Sequence, residues 1–149
     1  MPDLSQSKLF TLLLVEDDED DILLTKEAFE NNGFQLDLRV VRDGEEAMQY
    51  LRREPPYTEA PRPDLVLLDL NMPRKDGREV LEEVKQDPLL NTIPIAVLTT
   101  SDAEEDILRA YHLHANCYIR KPIEMGRFTE VLHQIGDFWT KTVTLPPKQ

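Results

Sequence analysis

The sequence is short of cysteine and of long apolar runs. Its one cysteine, Cys117, cannot form a disulfide within the chain and cannot build a cysteine-based zinc site. The longest apolar runs have the length of a strand, well below the roughly 20 residues that span a bilayer. Residues 1–8 are polar and lack the apolar core of a signal peptide. We therefore expect no membrane segment and a location in the reducing cytoplasm.

Basic residues are also scarce. The chain has 149 residues, with 17 Lys and Arg against 29 Asp and Glu, which gives a formal net charge of −12. This balance argues against nucleic acid as a partner, because a nucleic-acid binder needs a basic face to displace the counterions of the phosphates, and it argues against anionic lipid. The glycine-rich loops of nucleotide-binding proteins and the motifs of serine esterases and zinc proteases are absent too.

Short apolar runs alternate with segments of helical periodicity along the chain. This alternation predicts an α/β domain in which helices cover both faces of a parallel sheet. The predicted strands are 11–15, 36–41, 65–68, 95–98 and 117–119. The predicted helices are about 19–31, 45–52, 78–87, 103–113 and from Met125 onward. We expect a single domain over residues 1–149, with a core at about 9–139 and a tail at 140–149.

An unbroken run of acidic residues, Glu16 to Asp21, follows the first predicted strand. Asp18 to Asp21 are expected in the first turn of a helix, where the helix dipole favours negative charge. Glu16 and Asp17 end the first strand, and Asp69 ends the third. Ligand sites of such sheets lie at the carboxyl ends of the strands, so neighbouring first and third strands would bring these carboxylates together. Their repulsion calls for a cation, and Mg²⁺ prefers oxygen ligands of this kind.

Polar side chains also end the fourth and fifth strands. Thr99, Thr100 and Ser101 end the fourth strand, and Lys121 follows the fifth. A metal, an ammonium group and a hydroxyl around one nucleophilic carboxylate stabilise an added phosphoryl group. Asp64 is not expected to take part, because it precedes the third strand and lies at the opposite end of the sheet.

Four motifs at these strand ends resemble the receiver domain of two-component response regulators. They are Val15–Asp17, Leu68–Gly77, Val97–Thr99 and Lys121–Pro122, within a resemblance that extends from about Leu12 to Phe138. The resemblance implies a flavodoxin-like (βα)5 doubly wound parallel sheet with strand order 2-1-3-4-5. It also implies a histidine kinase as phosphodonor. The domain would be a phosphoacceptor switch that assists its own phosphorylation and dephosphorylation, and not a turnover enzyme.

The same resemblance implies how the phosphoryl group and the metal are bound. Asp69 would accept the phosphoryl group. Glu16, Asp17, Asp69 and the backbone carbonyl of Asn71 would hold Mg²⁺. No other cofactor is implied.

Three further residues have roles implied by the resemblance. Lys121 would contact the phosphoryl group, and the Lys121–Pro122 bond would be cis. Thr99 would be the switch hydroxyl, because its spacing from Asp69 fits the family better than that of its rival Thr100. Tyr118 would be the switch aromatic residue.

Three other segments look like the single-domain response regulators that partner cyanobacterial and bacterial phytochromes. They are the proline-rich loop 53–63 with its continuation to Asp64, the stretch 113–118, and the ending 138–146. This likeness implies a phytochrome, a light-regulated histidine kinase, as partner. It also implies a homodimer through the fourth helix, fifth strand and fifth helix. Val143 and Leu145 exceed what one helix can bury on its own domain, so we expect the tail at the interface.

Two other functions are weighed against this one. About ten residues follow the last predicted helix, so we expect no output domain and an output by protein contact. An aspartyl-phosphate hydrolase of the haloacid dehalogenase type needs an Asp-x-Asp pair, and the chain has Asp69-Leu-Asn71 instead. A phosphorylation-independent dimeric adaptor for the kinase would be indicated by a missing site residue, and none is missing. The three histidines lack ligand spacing and are expected at the surface or the dimer face.

Overall fold

The computed structural model describes residues 9–30 and 33–147, in which five strands alternate with five helices. The strands are β1 (Phe10–Val15), β2 (Leu36–Val41), β3 (Leu65–Leu68), β4 (Ile95–Thr99) and β5 (Cys117–Arg120). The helices are α1 (Glu19–Glu30), α2 (Gly44–Leu51), α3 (Gly77–Gln86), α4 (Glu104–His112) and α5 (Met125–Asp137), and a π-helical turn, Phe138–Thr142, follows α5.

The five strands form one parallel sheet in the order β2-β1-β3-β4-β5. The predicted flavodoxin-like fold and its strand order are therefore confirmed. Val15 of β1 lies opposite Leu68 of β3, so the residues that follow these two strands emerge side by side. The strand order reverses at this point, which is where a doubly wound sheet opens a crevice for a ligand.

The sequence of each strand reflects its position in the sheet. The central strands β1, β3 and β4 are buried along their whole length, which explains their apolar residues on both faces. The edge strands β2 and β5 are partly exposed and more mixed. One core cluster lies between the sheet and α2, α3 and α4, and the other lies between the sheet and α1 and α5.

Aspartate side chains begin the first three helices. The Asp18 side chain accepts backbone hydrogen bonds at the start of α1, Asp43 does so for α2, and Asp76 does so for α3. Such caps satisfy backbone N–H groups that have no partner within the helix. Asp18 therefore precedes the first turn of α1, in which we had expected it, and the three acidic residues after it occupy that turn.

The C-terminal segment differs from the expected tail. The π-helical turn extends helical structure to Thr142, and Val143 and Leu145 pack against the core cluster beneath α1 and α5. Both side chains stay partly buried, so the domain's own core takes up part of the apolar surface that we expected at an interface. The place of the tail in a dimer stays a prediction. Phe138, by contrast, is 49% exposed.

Two further observations concern the backbone. The Lys121–Pro122 bond is not cis, so that expectation is wrong; the cis bond among the described residues joins Pro55 and Pro56. The trans form of an X–Pro bond is favoured by roughly 0.5–1 kcal/mol, and Lys121 reaches the acidic residues of the sheet edge without the cis form. Within residues 9–30 and 33–147, no helix has the length and apolar character needed to cross a membrane.

Candidate functional site

The carboxyl ends of β1 and β3 place three carboxylates together. The amide of Asp69 donates to the carbonyl of Val15 at 3.1 Å, which continues the β1–β3 pairing by one residue. Glu16 and Asp69 are buried and Asp17 is exposed. One carboxylate oxygen from each of the three residues lies within 4.8 Å of the others.

This cluster fits a hard divalent cation. All of its donor atoms are carboxylate oxygens, which Mg²⁺ and Mn²⁺ prefer over nitrogen or sulfur, and one of the three carboxylates opens to water. No histidine or cysteine joins a metal-ligand cluster in the part of the chain that the structure describes. The amide of Asn71 donates to Oδ1 of Asp69 at 3.1 Å, so the backbone turns sharply after Asp69. The role of the Asn71 carbonyl stays a prediction.

The ammonium group of Lys121 lies within this acidic cluster. Its Nζ atom donates to Glu16, to Asp69 at 3.3 Å and to Asp21 at 2.8 Å, although the side chain is only 4% exposed. An ammonium group buried this deeply needs partners that compensate for its lost hydration, and here three carboxylates supply them. Lys121, which follows β5, therefore joins the ends of β1 and β3 and the start of α1 through ion pairs with one ammonium group.

Asp21 is the site residue that the sequence analysis missed. It was assigned only to the first turn of a helix, yet its carboxylate reaches Lys121 from α1. Its position could have indicated this, because the first turn of α1 lies only a few residues after Glu16 at the end of β1. The direction of a helix relative to the sheet, however, depends on packing that the local sequence does not specify.

Burial and charge shift the pKa values of the central ion pair. Burial raises the pKa of Glu16 from 4.5 to about 7, and Asp69 adds to this, while Lys121 acts in the opposite direction. Burial alone lowers the pKa of Lys121, but the charges of Asp69, Asp21 and Glu16 outweigh it and hold that pKa above its ordinary value. Lys121 is therefore held as a cation, whereas burial favours the protonated form of Glu16.

Thr99 contributes a buried hydroxyl at the end of β4. Its Oγ1 atom has no hydrogen-bond partner among the described residues, and its side chain is fully buried. Thr100 is exposed. The two hydroxyls thus differ in their surroundings, because a buried hydroxyl without a partner calls for one, whereas that of Thr100 can bond to water. The switch role of Thr99 stays a prediction.

Tyr118 lies beside the loop that follows Thr99. Its hydroxyl donates to the backbone carbonyl of Ser101 at 2.9 Å. The Ser101 hydroxyl in turn donates to Asp106 of α4 at 2.6 Å. The aromatic ring of β5 is therefore attached to the β4–α4 loop. The switch role of Tyr118 stays a prediction.

A close backbone approach shapes the loop after Asp69. The amide of Gly77 donates to the carbonyl of Leu70 at 3.0 Å. A Cβ atom on Gly77 would stand 2.3 Å from the carbonyl oxygen of Asp69, so a larger residue cannot occupy this position without movement. Glycine therefore lets α3 begin directly against the backbone of Asp69.

Asp64 and two of the three histidines lie where we expected them. Asp64 is at the opposite end of the sheet, where its Oδ2 atom accepts from the amide of Thr11 at 2.8 Å. His112 and His114 are exposed, and His133 is partly buried. Cys117 is a free, partly buried thiol that packs against the core beneath α5, and burial raises its pKa.

An apolar groove lies away from these strand ends, between β5 and the C-terminal segment. It has a volume of about 550 Å³. Its lining includes Ile119 of β5, Val131 and Ile135 of α5, and Phe138 and Trp139 of the π-helical turn. Phe138 presents about half of its side chain to solvent there.

Comparison with known proteins identifies the family. A family model of the response regulator receiver domain matches residues 12–133. The chain belongs to the response regulator receiver domain family. Response regulators of two-component systems act as phosphoacceptors, with which the acidic cluster, Lys121 and Thr99 are consistent. The alternative of a phosphorylation-independent adaptor is not favoured.

Individual receiver proteins resemble the chain over nearly its full length. It is 46% identical over 135 residues to the response regulator Rcp1 of Synechocystis sp., covering 91% of this chain and 92% of Rcp1. The crystal structure of the phosphorylated cyanobacterial phytochrome response regulator RcpA has a TM-score of 0.90 and 50% identity, covering 93% of this chain and 99% of RcpA. The Mn²⁺-bound form of Rcp1 has a TM-score of 0.89 and 45% identity, covering 93% of this chain and 99% of Rcp1. The receiver is thus homologous to a cyanobacterial phytochrome response regulator, and a second relative, Rcp1, has a Mn²⁺-bound form.

Proposed function

We propose that this receiver accepts a phosphoryl group on Asp69 from the phosphohistidine of a histidine kinase. The observation that supports this most directly is the buried ammonium group of Lys121, 3.3 Å from Oδ2 of Asp69. A buried cation beside a carboxylate offers charge compensation for a phosphoryl group added to it. The unpartnered hydroxyl of Thr99 supplies a hydrogen-bond donor on the neighbouring strand.

The transfer forms one bond and breaks another. A carboxylate oxygen of Asp69 attacks the phosphorus, the O–P bond of an acyl phosphate forms, and the P–N bond to the kinase imidazole breaks. The bonding electrons leave with the imidazole, which takes up a proton. Lys121 is protonated throughout, because its acidic neighbours raise its pKa, and it balances negative charge on the phosphoryl oxygens.

Mg²⁺ is the cation that we propose for the acidic cluster. Glu16, Asp17, Asp69 and the backbone carbonyl of Asn71 would hold it, and when bound it would neutralise charge on the phosphoryl oxygens. Asp17, exposed to solvent, leaves room for bound water and for the incoming phosphate.

The acyl phosphate would act as a switch. The Thr99 hydroxyl would donate to a phosphoryl oxygen, and Tyr118 would respond because its own hydroxyl bonds to the loop after Thr99. The two arrangements of α4, β5 and α5 would then differ in population. The same site would assist hydrolysis of the acyl phosphate, so the chain would be a self-resetting switch and not a turnover enzyme.

A phytochrome is the proposed phosphodonor, and a second copy of the chain is the proposed assembly partner. RcpA is a cyanobacterial phytochrome response regulator, and it resembles this chain over 93% of its length. The proposed dimer face comprises α4, β5 and α5 with the C-terminal tail. Leu108, Tyr111 and Phe138 are exposed on it. We further propose that residues 1–149 form a single receiver domain that functions in the cytoplasm by protein contact and without nucleic acid.

Mass spectrometry tests the phosphoacceptor. Incubation with acetyl phosphate and Mg²⁺ should add the mass of one phosphoryl group to the wild type. Asp69→Asn should abolish the adduct, and Asp64→Asn, at the opposite end of the sheet, should retain it. No adduct, or an adduct that persists in Asp69→Asn, would contradict the proposal. Phosphotransfer from an autophosphorylated phytochrome that is faster than from an unrelated histidine kinase would support the proposed donor.

A further inference from the structure

A chain of polar contacts links the start of α3 to the loop after β4. The guanidinium of Arg78 donates to Oδ1 of Asp106 in α4 at 2.8 Å. The other carboxylate oxygen of Asp106 accepts from the hydroxyl of Ser101 at 2.6 Å. The hydroxyl of Tyr118 donates to the carbonyl of Ser101 at 2.9 Å. Side chains from α3, α4 and β5 therefore converge on a loop that begins directly after Thr99.

One end of this network is firmly anchored. Arg78 follows Gly77, whose amide bonds to the loop after Asp69 and whose backbone touches the carbonyl of Asp69. Asp76 caps α3 and also accepts from the Arg78 guanidinium at 3.3 Å. The position of the Arg78 side chain is thus tied to the backbone of the proposed phosphoacceptor.

The other end has little apolar support. Ala110 is the buried residue of α4, and the residue that precedes the helix, Ala103, offers no side-chain cap. Arg78 and Asp106 are 15% and 26% exposed, so their ion pair is shielded from much of the solvent. The first turn of α4 is therefore held by polar contacts more than by packing.

The buried hydroxyl of Thr99 requires such support. A buried polar group without a partner costs about 1–3 kcal/mol, and turning toward water would relieve that cost. Such an arrangement persists only where the surrounding structure prevents relaxation. The loop that would have to move is the one that Ser101 fastens to Asp106.

We propose that Arg78 is a positioning residue, which acts through Asp106 and Ser101 to keep the Thr99 hydroxyl in the phosphorylation site. This inference rests on the proposed phosphorylation of Asp69. Arg78 contacts neither Asp69 nor the phosphoryl group; it restrains the loop that presents the hydrogen-bond donor. Without Arg78, the loop relaxes and the Thr99 hydroxyl becomes hydrated, so the donor must be reorganised in each reaction.

The initial rate of phosphorylation by acetyl phosphate, measured over a range of concentrations with Mg²⁺, tests this inference. Arg78→Ala should lower the maximal rate by about tenfold and leave the half-saturating concentration unchanged, because Lys121 and the acidic cluster are intact. Arg78→Lys keeps the charge but cannot bridge two carboxylates in the same way, so its rate should lie between those of the wild type and Arg78→Ala.

An ion pair in the same loop provides the matched control. Asp102 pairs with Arg120 at 3.3 Å, but both side chains are more than half exposed. Exposed ion pairs contribute little to the stability of the structure around them, so Asp102→Asn should change the maximal rate by less than about twofold. A comparable loss in Asp102→Asn and Arg78→Ala would show that loss of any ion pair near this loop has the same effect, and it would overturn the inference.

The decisive comparison uses a background without the Thr99 hydroxyl. In Thr99→Val, the further substitution Arg78→Ala should have no additional effect, because nothing remains for Arg78 to position. An additional tenfold loss in that background, or no loss in the wild-type background, would show the inference to be wrong. Failure of the proposed function would look different: the wild type itself would acquire no phosphoryl group on Asp69.

Discussion

Lys121 and Asp69 are 52 residues apart in the chain, yet Nζ of Lys121 lies 3.3 Å from Oδ2 of Asp69. The ammonium group also bonds to Glu16 and Asp21, so it is the shared counter-ion of carboxylates from β1, α1 and the end of β3. In the metal-free protein it is the main compensation for this concentration of negative charge. Four predictions concern this site, two glycines and the apolar groove.

Removal of the Lys121 charge should destabilise the metal-free protein. Lys121→Met leaves three carboxylates without their shared cation, and breaking a buried ion pair in this way costs about 3 kcal/mol. Urea unfolding in the presence of a chelator measures the loss. Addition of Mg²⁺ should restore part of it, because a bound cation replaces the missing charge. Lys26→Met, at an exposed position of α1, should have little effect; equal losses in both variants would contradict the prediction.

Glu16 should make the stability of the metal-free protein depend on pH. Burial raises its pKa from 4.5 to about 7, so the folded protein binds this proton more tightly than the unfolded chain. The contribution of Glu16 to stability is therefore complete below about pH 4.5 and is lost as the pH rises through about 7. Across this range, the free energy of unfolding of Glu16→Gln should rise relative to that of the wild type as the pH increases. Glu27 is exposed, so the stability of Glu27→Gln should depend on pH in the same way as that of the wild type. The same pH dependence in Glu16→Gln would refute the prediction.

The two glycines Gly77 and Gly126 should respond in opposite directions to alanine. A Cβ at Gly77 would stand 2.3 Å from the Asp69 carbonyl oxygen, and overpacking of this kind costs about 2 kcal/mol. A Cβ at Gly126 would meet nothing nearer than 3.7 Å, and alanine in a helix is favoured over glycine by about 0.5–1 kcal/mol. Thermal unfolding of both variants provides the measurement. A Gly77→Ala protein as stable as Gly126→Ala would show that the close approach is not required.

Phe138 should contribute to dimer formation. Its exposed ring borders the apolar groove beside β5, and its burial in an interface is worth about 1.5–3 kcal/mol. Sedimentation velocity should show Phe138→Ser shifted toward monomer at concentrations where the wild type is dimeric. Leu89→Ser removes another exposed apolar side chain that lies outside the groove, and it should leave the assembly unchanged. A wild-type monomer, or an unaltered Phe138→Ser dimer, would exclude this face.

Much of the fold follows from local patterns in the sequence. The apolar runs of β1, β3 and β4 are long enough for strands only, and their lack of alternation already places them in the centre of a parallel sheet. Strand ends were therefore predictable to within one residue, and with them the acidic cluster Glu16, Asp17 and Asp69. The first three helices start at aspartates that satisfy N–H groups locally, Asp18, Asp43 and Asp76, but these caps were not part of the predicted helix starts.

Other features depended on contacts between distant segments. Val143 and Leu145 looked surplus to the domain, yet the C-terminal segment folds back onto its core. Asp21 looked like an ordinary helix acid, yet it reaches Lys121, 100 residues away. The Arg78–Asp106 pair joins α3 to α4 and has no counterpart in any local pattern.

By itself, the sequence determined the order of strands and helices and the kinds of side chain at each strand end, because periodicity and capping act between near neighbours. Only the tertiary structure decided that Thr99 has a buried, unpartnered hydroxyl while Thr100 faces water, and that one ammonium group is shared by Glu16, Asp21 and Asp69. The burial and direction of a side chain depend on the residues that pack against it from elsewhere in the chain. Those residues come together only when the strands assemble into the sheet.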